Sequence, residues 1–277
     1  MTETENIFDS ADTVARWRAN AERRAAYLGQ ATERMLDAAG VTAGARVLDL
    51  GTGTGDTAVL AALRVGPGGS VLATDVSPAM LEAAAESCTA AGVTNVEFQR
   101  QDAGALQSLE PGSFDAVIGR FSLMFVTDLA AALRGIRRVL KPGGRLGALV
   151  WGPPERNPFL SLSTRVARRE GLLKVPEEQI IGPFRLADRD GLARAAVAAG
   201  LEAEVEEVPV EVRARTQETA LEGLQCSPLT QTILGALSET ERASLEDALK
   251  VELETYREGE GYRLPGLTLL LRGRNPA

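Results

Sequence analysis

The chain has 277 residues, of which 44% are hydrophobic and 25% charged, with a formal net charge of −8 at pH 7. That length and balance suit one large folded unit, and the acidic excess argues against a general affinity for nucleic acid or an anionic membrane surface, since both rely on basic patches. Histidine is absent, which removes the commonest general base, the usual partner of an activated nucleophile and the commonest zinc ligand.

Residues 1–10 are polar and acidic and lack the apolar centre of a secretory signal, and no run approaches a membrane span, so a cytoplasmic protein is expected. Residues 11–39 follow, with Val14, Trp17, Ala21, Ala25 and Leu28 at three- and four-residue steps. This spacing predicts one or two amphipathic helices that stop at Gly40. Trp17 and Tyr27 lie on them, placed either to close over a ligand pocket or to anchor the helices on the core.

The organising stretch is 45–58. Val47 to Leu50 predict the end of a buried strand, and Gly51, Gly53 and Gly55 allow a sharp turn that a ligand can approach closely. Asp56 and Thr57 are then expected to cap a helix. Such a loop fits the G-x-G-x-x-A form of the dinucleotide fingerprint, so the glycines alone do not choose a ligand. Asp49 does discriminate. A carboxylate at the end of the strand repels a pyrophosphate but attracts the sulfonium and ammonium of S-adenosylmethionine. Twenty residues beyond Gly55, the apolar run Val71-Leu-Ala-Thr ends in Asp75, an acid suited to ribose hydroxyls in either kind of site.

From 45 to 152 strand and helix patterns alternate, which predicts a parallel sheet covered on both faces, with strands at 46–50, 70–74, 95–99, 114–119 and 144–151. Pro78 opens a helix over about 79–91, and Asp128 opens another over 128–140 that ends at a turn, Lys141-Pro142-Gly143-Gly144. Asp102, after the third strand, is placed either to accept from an adenine amino group or to cap a turn. Beyond Trp151-Gly-Pro-Pro154, helical patterns occupy 158–173 and 188–199, the second capped by Asp188. An acidic strand near 203–212, helices within 216–258 with the capping box Ser238-x-x-Glu241, and a final strand at 267–271 complete the chain.

Four motifs occur in order: Val47-Leu-Asp-Leu-Gly-Thr-Gly-Thr-Gly55, Ala73-Thr-Asp75-Val-Ser-Pro-Ala-Met80, Phe114-Asp-Ala-Val117 and Arg138-Val-Leu-Lys-Pro-Gly-Gly144. Together they resemble class I S-adenosylmethionine-dependent methyltransferases, in the branch of the ubiquinone and menaquinone biosynthesis C-methyltransferases. The resemblance covers roughly 40–152. It implies an α/β, Rossmann-like, doubly wound and mostly parallel seven-stranded sheet whose last strand is antiparallel. It also implies S-adenosylmethionine as cofactor and S-adenosylhomocysteine as product. Asp49 and the loop Gly51-Thr52-Gly53 would surround the methionyl part and Asp75 would take the ribose. Val76 and Met80 would flank the adenine, and Asp102 with Ala103 would meet its edge. Arg120 faces the cofactor, an acidic substrate group, or a nearby aspartate.

The expected organisation is an N-terminal helical cap (1–44), a cofactor-binding core (45–152) and a segment (153–277) that completes the sheet and adds a helical lid, all one integrated domain. Methyl transfer asks the protein mainly to orient two reactants and exclude water. The acceptor is expected to be a small apolar or aromatic molecule, with Trp17, Tyr27, Phe121, Met124, Phe125 and Trp151 as pocket candidates. No residue stands out as catalytic: without imidazole, a base would be a carboxylate, one of the tyrosines Tyr27, Tyr256 or Tyr262, or water. No metal site, nucleic-acid partner or membrane insertion is expected. Competing readings are an NAD(P)-dependent oxidoreductase built on the same loop, and a non-catalytic module that keeps the fold.

Overall fold

The computed structural model describes residues 10–175 and 182–276; the acidic start of the chain, residues 1–9, lies outside them. Two helices lead in, α1 (Ala11–Ala19), capped by the Ser10 hydroxyl, and α2 (Ala21–Ala38). There follow β1 (Arg46–Leu50), α3 (Asp56–Val65), β2 (Ser70–Asp75), α4 (Pro78–Ala90), β3 (Val96–Arg100), β4 (Phe114–Arg120), α5 (Leu129–Val139) and β5 (Leu140–Trp151). After β5 come α6 (Pro158–Arg169), α7 (Arg189–Ala198), β6 (Glu202–Ala214), α8 (Gln217–Gln225), α9 (Pro228–Gly235) and α10 (Glu239–Leu253). A two-residue β7 (Arg257–Glu258) and the long β8 (Gly261–Arg274) end the fold.

The sheet order is β3-β2-β1-β4-β5-β8-β6, with β7 paired to β8 as a small eighth strand. Strands β1 to β5 pair in parallel, and β8 runs antiparallel between β5 and β6. The order reverses between β1 and β4, so their carboxyl ends open a crevice of the kind that takes ligands in doubly wound sheets. The expected seven-strand path with an antiparallel last strand is therefore present. Val47, Leu48 and Leu50 on β1 and Ala116, Val117 and Ile118 on β4 are wholly buried, as central parallel strands covered on both faces require.

Three local expectations change. The cap of α3 is Gly55, at φ 90°, while Asp56 and Thr57 occupy the first turn, where their side chains are free for other partners. Lys141 to Gly144 do not end a helix in a separate turn. They bulge within β5, because Phe114 pairs with Leu140 and Ala116 already with Arg145, which leaves Pro142, with no N–H to donate, in the looped-out stretch. Asp188 sits at the start of α7 without a side-chain capping bond, its carboxylate lying 3.6 Å from Arg194 instead.

The final strand is far longer than 267–271. All thirteen residues of β6 pair with β8, from Glu202 opposite Arg274 to Ala214 opposite Tyr262. The acidic edge strand is matched by arginines of β8, with Arg272 beside Glu204 and Glu206, Arg274 beside Glu202 and Arg263 beside Glu211. Charges along an edge discourage pairing with another chain. The capping box of α10 forms as expected, Ser238 and Glu241 each satisfying the other's backbone N–H.

Candidate active site

The loop after β1 is shaped by glycines with positive φ at 51, 53 and 55. Two of them are also required by space. A Cβ on Gly51 would lie 2.5 Å from Ser122 Cβ, and one on Gly55 would lie 2.9 Å from the Ala84 Cα of α4. Gly55 thus serves the close packing of α3 against α4. At Gly53 the nearest atom to such a Cβ is Trp17 Nε1, 3.6 Å away, so α1 brings its indole over the loop.

The loop amides are largely spent inside the protein. Thr52 N–H donates to Thr74 O, Gly55 N–H to Thr52 O and Gly53 N–H to Asp75 Oδ2. A pyrophosphate cradle needs such amides free and aimed at the ligand. This loop instead uses them to hold itself against β2, which weakens the dinucleotide reading further. Asp75, nearly buried, accepts from the Ser77 N–H with its other oxygen, so its carboxylate is fixed at the lip of the crevice.

Asp49 is completely buried. Its Oδ2 accepts from the hydroxyls of Thr52 (2.8 Å) and Thr57 (2.6 Å), while Oδ1 has no partner among the described residues. Burial lifts its carboxyl from 3.8 to about 6, although the two threonine hydroxyls and the Arg120 charge pull it down.

A charge cluster that the sequence did not single out stands beside the loop. Asp56 Oδ2 accepts from Arg24 (3.0 Å) and from Arg120 (2.9 Å), and Arg120 also donates to Thr32. Arg24 further donates to Trp17 O and Thr54 Oγ1, and its guanidinium lies 4.9 Å from the Trp17 ring centroid. Burial pushes the Asp56 carboxyl up, but the two guanidiniums outweigh it and hold it below the usual value. Of the three expected partners of Arg120, the nearby aspartate is present, and it is Asp56. Arg24 was hidden in the sequence as one of many helical arginines; only the fold shows that it is buried at 8% exposure while Arg16 and Arg18 face solvent.

The remaining candidates separate. Val76 is 37% exposed beside Asp75, whereas Met80 is buried at 2% with its N–H on the Ser77 cap. Asp102 is exposed and closes a turn through the Gly104 N–H, with Ala103 half-buried next to it. Of the apolar set, Met124 and Trp151 are core and Phe125 is 47% exposed. Phe121 has a positive φ of 60°, rare for a bulky residue, and stacks on Trp151 with centroids 4.0 Å apart and planes within 7°. Trp151 meets Phe159 edge-on, and Phe159 meets Tyr27 in the same way at 5.6 Å. This aromatic run crosses the carboxyl ends of β4 and β5 and reaches α2. Among the described residues no group of His, Cys, Asp and Glu is placed to hold a metal ion, and no helix is long and apolar enough to cross a membrane.

Residues 41–149 match the model of a family described as a methyltransferase domain. The chain carries a class I methyltransferase domain. Within this stretch fall the glycine loop, Asp49, Asp75 and Arg120, whereas Trp17, Arg24 and Tyr27 precede it. The chain is similar to the ubiquinone/menaquinone biosynthesis C-methyltransferase UbiE of Pasteurella multocida, 42% identical over 125 residues, which are 45% of this chain and 46% of that enzyme. The match thus spans about half the length of the curated relatives. Among solved structures, the YcgJ protein of Bacillus subtilis superposes with a TM-score of 0.59 at 21% identity, covering 90% of this chain and 99% of that one. The [4+2]-cyclase SpnF gives 0.57 at 23% identity, over 90% and 80%. A cyclase shares the fold, so the fold alone does not fix the chemistry, which resides in the site.

Proposed function

We propose that this protein transfers a methyl group from S-adenosylmethionine to a small apolar or aromatic molecule. The observation that carries this reading is a cluster of unmet polar atoms. Asp49 Oδ1, Arg24 Nε and Ser122 Oγ are buried without a hydrogen-bond partner among the described residues, and all three belong to residues in or packed around the glycine loop. A buried polar atom left unpaired costs roughly 1–3 kcal/mol, so three in one place point to a ligand that completes them. A carboxylate oxygen suits an ammonium, and a guanidinium N–H suits a carboxylate. The two ends of a methionyl group supply both.

On this reading Asp49 and the loop Gly51-Thr52-Gly53 hold the methionyl part, with Arg24 as a partner for its carboxylate. Asp75, already fixed by two backbone amides, would accept from the ribose hydroxyls. Val76 offers an apolar contact to the adenine, with Asp102 and Ala103 at its edge. Met80 would support that wall from behind. Arg120 would act through Asp56 by keeping that carboxylate, and with it Arg24, in place.

When bound, S-adenosylmethionine supplies an electrophilic methyl group and a neutral leaving sulfur. The chain's own part is to align the acceptor and exclude water. Trp17 over the loop, with Phe121 and Tyr27 backed by the buried Trp151 and Phe159, would provide an apolar wall for that purpose. The helices of the C-terminal segment would form the lid, since α8 reaches α2 through Arg23 and the Thr219 carbonyl.

Calorimetry with S-adenosylhomocysteine and, separately, NADH tests the reading. Saturable binding of S-adenosylhomocysteine with none of NADH is expected. Binding of NADH alone would establish the oxidoreductase reading instead, and binding of neither would revive a non-catalytic module.

A further inference from the structure

Three tyrosines were equal candidates in the sequence, and the fold separates them. The Tyr262 hydroxyl donates to Glu254 and accepts from an Arg257 N–H beside the β7–β8 hairpin. Tyr256 is engaged with Arg165 of α6. The Tyr27 hydroxyl, by contrast, makes no hydrogen bond among the described residues, although its ring is half-buried against Phe159. Arg24, Arg120 and Arg23 stand within electrostatic reach of it, and the Cys226 thiol lies on the side of α8. Arg24 and Arg120 share the Asp56 carboxylate and Arg120 also faces Asp49, so three guanidiniums around Tyr27 meet two carboxylates and positive charge is in excess.

We propose that Tyr27 is a positioning residue for the methyl acceptor, its hydroxyl donating a hydrogen bond to an anionic oxygen of the acceptor ring seated on the aromatic run. This inference rests on the proposed function. A hydroxyl without a partner between guanidiniums and an apolar wall is suited to an oxyanion attached to a planar apolar body. The ring would lie against Phe121 and Tyr27, the half-buried ends of the run, and the oxygen would face Tyr27 with Arg120 behind it, Arg24 being taken by the cofactor's carboxylate. Burial raises the Tyr27 phenol above its ordinary value even against the pull of Arg24, Arg120 and Arg23, so at neutral pH it keeps its proton and acts as a donor. It is not suited to be the base. The arginines lower the energy of an anionic acceptor, which would then arrive already deprotonated.

The test uses 4-nitrophenol, whose ionisation is visible by absorbance, added to protein saturated with S-adenosylhomocysteine. Wild type is expected to bind it saturably and to lower its apparent pKa. Tyr27→Phe keeps the ring contact with Phe159 and is expected to raise the bound probe's midpoint by about 1 pH unit, the loss of one charge-assisted hydrogen bond. Tyr262→Phe should leave that midpoint unchanged. Affinity for S-adenosylhomocysteine, measured by calorimetry on each variant, reports whether the fold is intact. Equal midpoints in wild type and Tyr27→Phe, or no saturable probe binding to the S-adenosylhomocysteine complex, would overturn the proposal. Wild type that binds no S-adenosylhomocysteine would instead remove the reading beneath it.

Discussion

Residues 41–149 and the stretch from α6 to β8 solve the same problem, covering one sheet, by different means. In the first, the constraints fall on the backbone: positive-φ glycines, loop amides tied to β2, and helix packing so close that Gly55 admits no side chain. In the second, the β6–β8 ladder and buried apolar side chains such as Leu162, Val166, Leu245 and Leu249 hold the elements, and exposed ion pairs are added on top, such as Arg165 and Arg169 on Glu252, Lys174 on Glu241, and the glutamates of β6 on the arginines of β8. Exposed pairs of this kind contribute about 0–1 kcal/mol each and can be exchanged one for another. Backbone constraints admit few residues. The first region therefore carries recognisable motifs, and the second carries almost none.

The largest effect should come from breaking a backbone constraint. Gly55→Val places a branched side chain at φ 90° against Ala84, and thermal unfolding is expected to show a loss of about 4 kcal/mol together with loss of S-adenosylhomocysteine binding. A comparable insult to the other region should behave differently. Phe159→Ala removes a ring from the aromatic run and is expected to cost about 3 kcal/mol. Yet the folded variant should bind S-adenosylhomocysteine within about twofold of wild type while losing 4-nitrophenol. If cofactor-product binding fell as well, the two regions would not be separable.

Asp49 tests the first region through pH. Its folded carboxyl is lifted from 3.8 to about 6, so the folded protein holds that proton more tightly than the unfolded chain. The contribution of this group to stability is then greatest below about pH 4 and declines as pH rises to about 6, by ~3 kcal/mol in all. Asp49→Asn escapes that decline. Above pH 6 it should melt higher than wild type, corresponding to about 2 kcal/mol, while its affinity for S-adenosylhomocysteine drops tenfold or more. In wild type the same affinity should weaken as pH falls below about 6, a dependence the asparagine variant should lack.

The smallest effect belongs to the helical segment. Ser238→Ala removes the α10 capping box and should cost about 1 kcal/mol by urea unfolding, with affinity for S-adenosylhomocysteine unchanged. A measurable change in that affinity would mean α10 is coupled to the loop.

Much of the fold was legible because its signals are local. The strands at 46–50 and 70–75 and the helices after Pro78 and Asp128 follow from hydrophobic period and caps within a few residues. The β5 bulge was not, because Lys-Pro-Gly-Gly has turn chemistry wherever it stands, and only pairing with Phe114 and Ala116 draws it into the strand. Likewise β8 looked short since Tyr262-Arg-Leu-Pro265 resembles a loop entrance; the thirteen-residue partner β6 extends it. In the candidate site, Asp49, Asp75 and the glycines were visible as a motif. Arg24 was not, since nothing in its neighbours distinguishes a buried arginine from a solvated one.

The sequence by itself determined the parallel core, the glycine loop and the acids at the ends of two strands, because each depends on residue type within a short window. The tertiary structure alone decided which arginines share Asp56, which tyrosine hydroxyl makes no hydrogen bond among the described residues, and that Phe121 turns to stack on Trp151. Burial and pairing are properties of residues far apart in the chain, and their energies exist only once the sheet has brought α2 over the ends of β4 and β5.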